Sequence, residues 1–431
     1  MGHGARYERA MMITHRQIWG GLLALALLVT GCASQGLVTE QYDPSLYEVD
    51  AQFETPDSIG TQPTFLVYGD TQAGWRVRHT FLDGDNWRSW KMALLPLYPL
   101  YLLGEGAVGG LNWYRQQPDY GGDRRAVVRD AVHDAIQQES PDFVLNVGDI
   151  ATADGRRPDH WETFLTENRT DPLVLGTVPY LPTPGNHDRT TDSTYGLPNY
   201  RSIFERDPFY VVDFPDGALV VLDSNLIIEW KQEIANRRQD ALFRRWFVSD
   251  EDAPPAWLER VLASRADRSH LIVSMHHTPV NFGPHADQWD RPEKYGSRRS
   301  RQWELLRVFQ QYGVDVVFSG HEHIYQHSVL RYARGGQSRT MHFVTTSGGG
   351  APLRELSTQR KVARLRATYQ RAGFDAELVR QAQTHHYTRV DVKPTEMQIH
   401  TVTVPLNPAL PEQPLETITI PADPEEAVAS P

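Results

Sequence analysis

The chain has 431 residues, 40% of them hydrophobic, which is enough apolar material for a packed core of one large or two smaller domains. Its formal net charge of −11 excludes a chain-wide basic surface, so we expect no nucleic-acid partner. An anionic substrate would have to be attracted by a local source of positive charge, such as bound cations.

The N-terminal segment has the layout of a secretory leader. Basic residues precede an apolar run, Ile18 to Val29, that is too short for a comfortable membrane span. Residues 29–32, Val-Thr-Gly-Cys, resemble a bacterial lipobox, in which Cys32 becomes the lipid-modified first residue of the mature protein. The alternative is an ordinary cleaved signal, but Cys32 is the only cysteine of the chain and stands where that motif requires one.

These features predict a signal peptide at 1–31 and a polar tether at 32–60. Ala33 follows the cysteine, which in lipoproteins favours sorting to the outer membrane. We therefore expect a protein of the bacterial cell envelope, anchored by lipid at Cys32 on the periplasmic face of the outer membrane.

The first predicted strand, Thr64 to Tyr68, leads into Gly69-Asp70-Thr71-Gln72. An insertion at 83–122 follows, rich in Trp and Tyr, with an apolar run at 92–103 whose two prolines argue against a regular helix. It either packs its own small cluster against the domain or forms an apolar lip that touches the membrane or an acyl chain.

A β-α-β unit is predicted next. Asp123 is typical of a helix N-cap, and apolar residues at Val128, Val132, Ala135 and Ile136 share one face of the helix, which should end before Pro141. The buried strand that follows stops in Gly148-Asp149.

The remaining chain alternates strands and helices. The pattern predicts a hairpin at 209–214 and 218–222, helices within 229–266, at 302–312 and within 355–382, and strands at 271–275, 314–319, 342–346, 387–392 and 397–404. Residues 406–431, rich in Pro and Glu, are expected to form a flexible tail.

Polar side chains follow the predicted strands where each one ends, and in open α/β sheets ligands bind at these ends. They are Asp70, Gln72, Asp149, Asn186, His187, His276, His277, His321 and His323. Mixed carboxylate, amide and imidazole ligands suit Mn, Zn or Fe better than Mg or Ca. We expect Asp149 to be shared by two divalent ions, about 3.5–4 Å apart, that generate a hydroxide to attack a phosphoryl group.

Five of these motifs together resemble the calcineurin-like metallophosphoesterase superfamily, over about residues 62–404. They are Gly69-Asp70-x-Gln72, Gly148-Asp149, Gly185-Asn186-His187-Asp188, His276-His277-x-Pro279 and Gly320-His321-x-His323. Residues 343–353 and the hairpin ending in Leu222-Asp223-Ser224 are similar to the purple acid phosphatase branch. The resemblance implies an α/β fold over 61–405: a four-layer α/β/β/α sandwich of two mixed β-sheets, with a dinuclear metal site at the carboxyl ends of strands.

The resemblance also implies roles for single residues. One metal would be held by Asp70, Asp149, His323 and Gln72, and the second by Asp149, Asn186, His276 and His321. His187 would bind the phosphate or protonate the leaving oxygen, with Asp188 orienting it. His277 and His285 would contact the phosphate.

Three positions depart from the family pattern. Gln72 stands where many members have His, which should weaken the first metal site. Residues 150–153 contain no tyrosine for a coloured iron centre. Of the pair His276 and His277 only one should be a ligand, and the spacing to Pro279 favours His276.

The sequence thus predicts a monomeric metallophosphoesterase that hydrolyses a phosphate mono- or diester by attack of a metal-bridging hydroxide. The alternative is a catalytically weak or inactive envelope lipoprotein that binds metal or phosphate, an idea motivated by Gln72.

Overall fold

The structure is a computed structural model that describes residues 62–72, 124–151, 155, 161, 164, 178–189, 197–228, 235–251, 253–290, 298–405 and 409–422. The predicted signal peptide, the tether, the insertion and the Asp123 cap lie outside these residues. No helix in the described part of the chain is both long and apolar enough to span a bilayer.

The described residues form thirteen strands. These are β1 (Thr64–Tyr68), β2 (Phe143–Asn146), β3 (Tyr180–Pro182), β4 (Tyr210–Phe214), β5 (Gly217–Leu222), β6 (His270–Met275), β7 (Val316–Ser319), β8 (Tyr325–Arg334), β9 (Gln337–Thr346), β10 (Asp375–Ala382), β11 (His386–Lys393), β12 (Glu396–Thr403) and β13 (Gln413–Pro421).

Seven α-helices and one 3₁₀ helix, Ala286–Asp290, accompany these strands. The α-helices are α1 (Arg124–Glu139), α2 (Pro198–Phe204), α3 (Asn225–Ile228), α4 (Ala235–Trp246), α5 (Trp257–Ala263), α6 (Arg298–Tyr312) and α7 (Gln359–Arg371).

The strands form two mixed sheets. The six-stranded sheet has the order β13-β12-β11-β1-β2-β3, with β1, β2 and β3 parallel. The seven-stranded sheet has the order β10-β8-β9-β7-β6-β5-β4, with β5, β6, β7 and β9 parallel. Each sheet therefore has a parallel centre whose strands all end on one side.

Three apolar clusters separate four layers. One lies between the sheets and joins Phe65 and Phe143 of the first sheet to Phe318 of the second. Another packs Val128 and Val132 of α1 on the outer face of the six-stranded sheet. The third packs α3 to α7 on the outer face of the seven-stranded sheet. The predicted α/β/β/α sandwich is confirmed.

Strands β8 and β10 were not predicted from the sequence. Residues 375–382, expected to continue a helix, form β10, because α7 ends at Arg371 and Gly373 takes a left-handed backbone with φ of 86°. β8 was not predicted at all. Its buried first half and exposed second half obscure the alternation that identifies a strand.

The predicted flexible tail is wrong for residues 413–421. These residues form β13, which pairs antiparallel with β12 and buries Ile418 and Ile420 in the cluster between the sheets. A register shift between Thr401 and Val402 changes the phase of the alternation, so Leu415 also packs against this cluster. The many prolines and glutamates hid this apolar face.

Candidate metal centre

The predicted metal ligands lie on unusual backbone. Seven described non-glycine residues have positive φ, and five of them are predicted ligands: Asp70 (55°), Gln72 (43°), Asp149 (54°), His321 (73°) and His323 (51°). A left-handed backbone is unfavourable for residues with a Cβ and persists only where the surrounding structure imposes it. Its concentration here marks a functional site at the ends of β1, β2 and β7.

Glycines allow these strand ends to approach one another. A Cβ on Gly185 would overlap the backbone nitrogen and Oδ1 of Asp149. A Cβ on Gly320 would lie 2.5 Å from Oδ2 of Asp70. The glycine in each motif is therefore required by the close packing of motifs that are far apart in sequence.

Asp149 lies at the centre of the site. Its Oδ1 accepts the backbone N–H of His187 at 2.8 Å and is 3.3 Å from Nε2 of His276. Its Oδ2 is buried and accepts no hydrogen bond from the described residues. Burial alone would raise the pKa of this carboxyl, but the neighbouring His276 and His187 lower the pKa well below its usual range. Asp149 is therefore a buried carboxylate with a free acceptor oxygen.

His276, His321 and Asn186 form one group beside Asp149. The Nδ1–H of His276 donates to the carbonyl of Val147 at 2.8 Å, so its Nε2 faces Oδ1 of Asn186 at 3.2 Å. The Nε2–H of His321 donates to Gln288 at 2.9 Å, so its Nδ1 faces the same Asn186 oxygen at 2.9 Å. In each ring, one nitrogen donates to a fixed acceptor and the other faces an oxygen.

Asp70, His323 and Gln72 form a second group. The Nδ1–H of His323 donates to the carbonyl of Pro352 at 3.0 Å, and its Nε2 lies 3.3 Å from Oδ1 of Asp70. The amide of Gln72 is 3.4 Å from the same Nε2. The backbone N–H of His321 donates to Asp70 Oδ2 at 2.9 Å and links this group to the first.

The electrostatics differ between the histidines. Burial lowers the pKa of His321 and of His277 well below the ordinary value, so both rings are neutral, which is the form that binds metal. Burial also lowers the pKa of His276, but the Asp149 carboxylate outweighs it and raises the pKa to about 10. The position of His276 Nε2 thus favours a cation.

His187 lies at the mouth of the site. Its side chain is 31% exposed, and its Nε2 is 3.7 Å from Oδ2 of Asp149. Burial is the main cause that lowers the pKa of this ring. His187 therefore presents a neutral imidazole beside the central carboxylate.

Asp188 does not have the orienting role predicted for it. Its fully buried carboxylate accepts four backbone N–H groups, those of Asp149, Ile150, Ala151 and Gly185, at 2.8–3.1 Å. These bonds hold the loop after β2 against the loop after β3, so Asp188 fixes the backbone around Asp149.

The structure places both predicted phosphate contacts at the site. Nδ1 of His277 is 2.9 Å from the hydroxyl of Ser224, and the ring lies 4.4 Å from that of His321. The His285 ring also lies 4.4 Å from that of His321. Because Asp149 and Asn186 face His276 rather than His277, the geometry favours His276 as the ligand.

Three residues that support the site were missed as functional residues. Ser224 follows β5 and also accepts the backbone N–H of His277 at 3.0 Å. Gln288 fixes the tautomer of His321, and Glu322 is a buried carboxylate between two ligand histidines. Only Ser224 had a signal in the sequence, because it follows the hairpin strand.

The residues present fit divalent metals. Three imidazole nitrogens and the carboxylates of Asp70 and Asp149 converge in one buried cluster. Asp70, Asp149 and His276 offer ligand atoms within 4.8 Å of one another, and so do His276, His277 and His321. Nitrogen and oxygen donors in one buried cluster suit Mn, Zn or Fe.

Comparisons with known proteins agree with this geometry. The sequence matches the family model of the calcineurin-like phosphoesterases over residues 63–325, more than half of the chain. It is 24% identical over 224 residues to acid phosphatase type 7 of Homo sapiens, covering 49% of this chain and 47% of that protein. It is also 24% identical over 238 residues to a nucleotide pyrophosphatase/phosphodiesterase of Hordeum vulgare, covering 50% of this chain and 60% of that protein.

A solved structure shares the fold. Purple acid phosphatase PPD1 from seeds of yellow lupin, Lupinus luteus, superposes with a TM-score of 0.51 at 14% identity, covering 88% of this chain and 57% of that chain. The chain thus spans between 47% and 60% of the length of these three proteins.

Proposed function

We propose, because the chain belongs to the calcineurin-like phosphoesterase family, that it hydrolyses a phosphate mono- or diester at the site around Asp149, using two divalent metal ions. The observation that carries this proposal is the convergence of three imidazole nitrogens with the carboxylates of Asp70 and Asp149 in one buried cluster. Nε2 of His276 and Nδ1 of His321 face Oδ1 of Asn186, and Nε2 of His323 faces Oδ1 of Asp70. Cations between these atoms would be coordinated by both the nitrogens and the oxygens.

The two groups of side chains give the metal ligands. Asp149 offers a ligand atom within 4.8 Å of those of Asp70 in one group and His276 in the other, and we propose that both ions would share it. Asp70, His323 and Gln72 complete one site, and Asn186, His276 and His321 complete the other. When bound, such ions polarise a phosphoryl oxygen and lower the pKa of water.

The protein's own groups then orient the substrate. His187 lies beside Oδ2 of Asp149 at the exposed mouth, where its neutral ring can hydrogen-bond a phosphate oxygen. After taking up a proton from solvent or from the substrate, the same ring can pass that proton to the leaving oxygen. His277 and His285 each lie 4.4 Å from the His321 ring and would direct two further imidazoles towards the phosphoryl group. Val147, Pro352 and Gln288 fix the tautomers of the three ligand histidines, so the site is organised before substrate binds.

Metal counting and ester hydrolysis test the proposal together. The purified domain, loaded with Mn or Zn, should contain two ions per chain by elemental analysis and should hydrolyse p-nitrophenyl phosphate or its bis-ester. Asp149→Ala should lose metal and activity together. His187→Ala should keep its metal and lose activity by about 10²–10⁴-fold.

Glu377→Gln is a matched control, because Glu377 pairs with Arg331 on the exposed face of the seven-stranded sheet. It should keep full metal content and activity. A chain that carries two ions and cleaves no ester in a broad panel of mono- and diesters would refute the proposal.

Gln72 favours a second candidate, a lipoprotein that binds one metal without turnover. The Gln72 amide is 3.4 Å from His323 Nε2, and an amide is a weaker metal ligand than the imidazole found there in many family members. One bound ion with measurable phosphate affinity and no hydrolysis would support this candidate.

We also propose that the chain is lipid-anchored at Cys32 on the periplasmic face of the outer membrane. The lipobox-like sequence before the single cysteine supports this. Mass spectrometry of the protein expressed in a bacterium should find an acylated N-terminal Cys32. A Cys32→Ser variant should be released from membranes, and an unmodified cysteine in the membrane-bound protein would refute the anchor.

A further inference from the structure

One loop brings His285 and Gln288 to the metal centre. It runs from Asn281 after β6 to the 3₁₀ helix Ala286–Asp290, and Gln288 accepts the Nε2–H of His321. The centre of the His285 ring lies 4.4 Å from that of His321, with the two planes tilted by 39°. The position of this loop therefore decides where His285 stands relative to a bound phosphoryl group.

The loop is held from inside by Glu322. This residue is fully buried between the ligand histidines His321 and His323. Its Oε1 accepts the side-chain amide of Asn281 at 2.6 Å, and its Oε2 accepts the backbone N–H of His285 at 2.7 Å. Both carboxylate oxygens are thus engaged by the same loop.

Two further contacts leave the loop little freedom. A Cβ on Gly283 would lie 2.5 Å from Oε2 of Glu322, so the loop passes directly over the carboxylate. From the outer side, Nζ of Lys361 in α7 donates to the carbonyl of Pro284 at 2.8 Å. The loop is clamped between a buried acid and a basic residue nearer the surface.

His285, His321 and Glu322 also offer ligand atoms within 4.8 Å of one another. This cluster is not a third metal site. The Glu322 oxygens are occupied by N–H donors, and the two nitrogens of His321 face Asn186 and Gln288. Glu322 therefore holds the loop through hydrogen bonds and is not arranged to bind a cation.

We propose that Glu322 is a positioning residue that sets where His285 meets the phosphoryl group, acting through the loop and not through the metals. The inference rests on the proposed phosphoesterase function and adds a residue to it. Glu322 lies between His321 and His323 in the Gly-His-x-His motif. The same short turn therefore supplies two predicted metal ligands and the carboxylate that supports the His285 loop.

A double-mutant cycle tests the proposal. Glu322→Gln keeps the side-chain shape but offers one acceptor oxygen where two are needed. In the metal-loaded chain it should raise the KM for p-nitrophenyl phosphate, and the Kd of inorganic phosphate measured by calorimetry, by about tenfold. The metal content and kcat should change little.

The decisive comparison is made in a His285→Ala background. If Glu322 acts through His285, adding Glu322→Gln to His285→Ala should change KM and phosphate affinity less than about twofold, because the group being positioned is already gone. Glu377→Gln, on the exposed face, is the control and should have no effect in either background.

Asn281→Ala gives a second route should Glu322→Gln fail to fold, since it removes the partner of Oε1 from the loop side. It should show the same dependence on His285. Loss of metal in either variant, or equal effects with and without His285, would overturn the proposal. A wild-type chain that binds phosphate without hydrolysing any ester would refute the proposed function but not the role of Glu322. In that case the double-mutant cycle can still be measured on phosphate affinity.

Discussion

Asp188→Asn separates a structural from a catalytic role for the residue after His187. In the structure, Oδ2 of Asp188 accepts the N–H groups of Asp149 and Gly185, and Oδ1 accepts those of Ile150 and Ala151. An asparagine can keep only one of these oxygens. Its NH₂ group would face two backbone donors that then have no acceptor.

The expected loss follows from the bonds removed. Each hydrogen bond to a charged group contributes about 1.5–3 kcal/mol, so losing two should lower the free energy of unfolding by about 3–6 kcal/mol. A typical domain has only about 5–15 kcal/mol in total. Burial and the charge of Asp149 raise the pKa of Asp188 to about 7, so at pH 8 the ionised carboxylate carries a cost that a neutral asparagine does not. The net loss at pH 8 should therefore lie at the low end of this range.

The assay is urea unfolding followed by tryptophan fluorescence, with a chelator present so that bound metal does not contribute. Asp213→Asn is the control, because the part-exposed pair of Asp213 with Arg265 should contribute no more than about 1 kcal/mol. A variant that unfolds like the wild type and yet loses its activity when metal is restored would refute the structural role. Asp188 would then take part in the chemistry, as its sequence motif suggests.

Three other variants test separate parts of the structure. Gln72→His should tighten Zn binding by the group formed by Asp70, His323 and residue 72 by about tenfold, measured by chelator competition. Unchanged affinity would mean that position 72 does not bind metal. Gly185→Ala should lower the free energy of unfolding by at least about 2 kcal/mol in urea, because its Cβ would overlap Asp149; a smaller loss would contradict the close packing. Burial and the neighbouring His327 lower the pKa of His342 to about 4, so as pH falls below 6.5 the unfolded state takes up a proton first and the fold loses stability. His342→Asn should therefore lose about 2–3 kcal/mol less than the wild type between pH 6.5 and pH 4, and equal losses in urea titrations would contradict this.

The metal centre could be predicted from sequence because each ligand follows an apolar strand. The strand before Asp149 is buried on both sides, so the run of apolar residues and the abrupt carboxylate are both visible without a structure. The same holds for β1 before Asp70 and β7 before His321. Parallel strands end at one edge of a sheet, and this brings the ligands together.

The supporting residues could not be predicted in the same way. Apart from the bond between Asp188 and Gly185, the carboxylates of Asp188 and Glu322 accept backbone N–H groups that lie 37 or more residues away in sequence. Any exposed acid would look the same in the sequence. The role of such a carboxylate depends on which loops pack against it in the folded chain. Strand β13 was missed for a related reason, since a β-bulge shifted its alternation and its composition resembled a tail.

The two kinds of residue at this site are held by different parts of the fold. Asp70, Asp149, His321 and His323 sit on left-handed backbone at strand ends, packed against glycines, so their positions can change only if the sheets change. His285 instead lies on a loop fixed by two hydrogen bonds to Glu322. Because these supports are separate, substitutions in the loop can alter how substrate is bound while the ligand geometry stays the same. The predicted metal ligands therefore lie at the sheet edge, and the loop that follows β6 supplies His285.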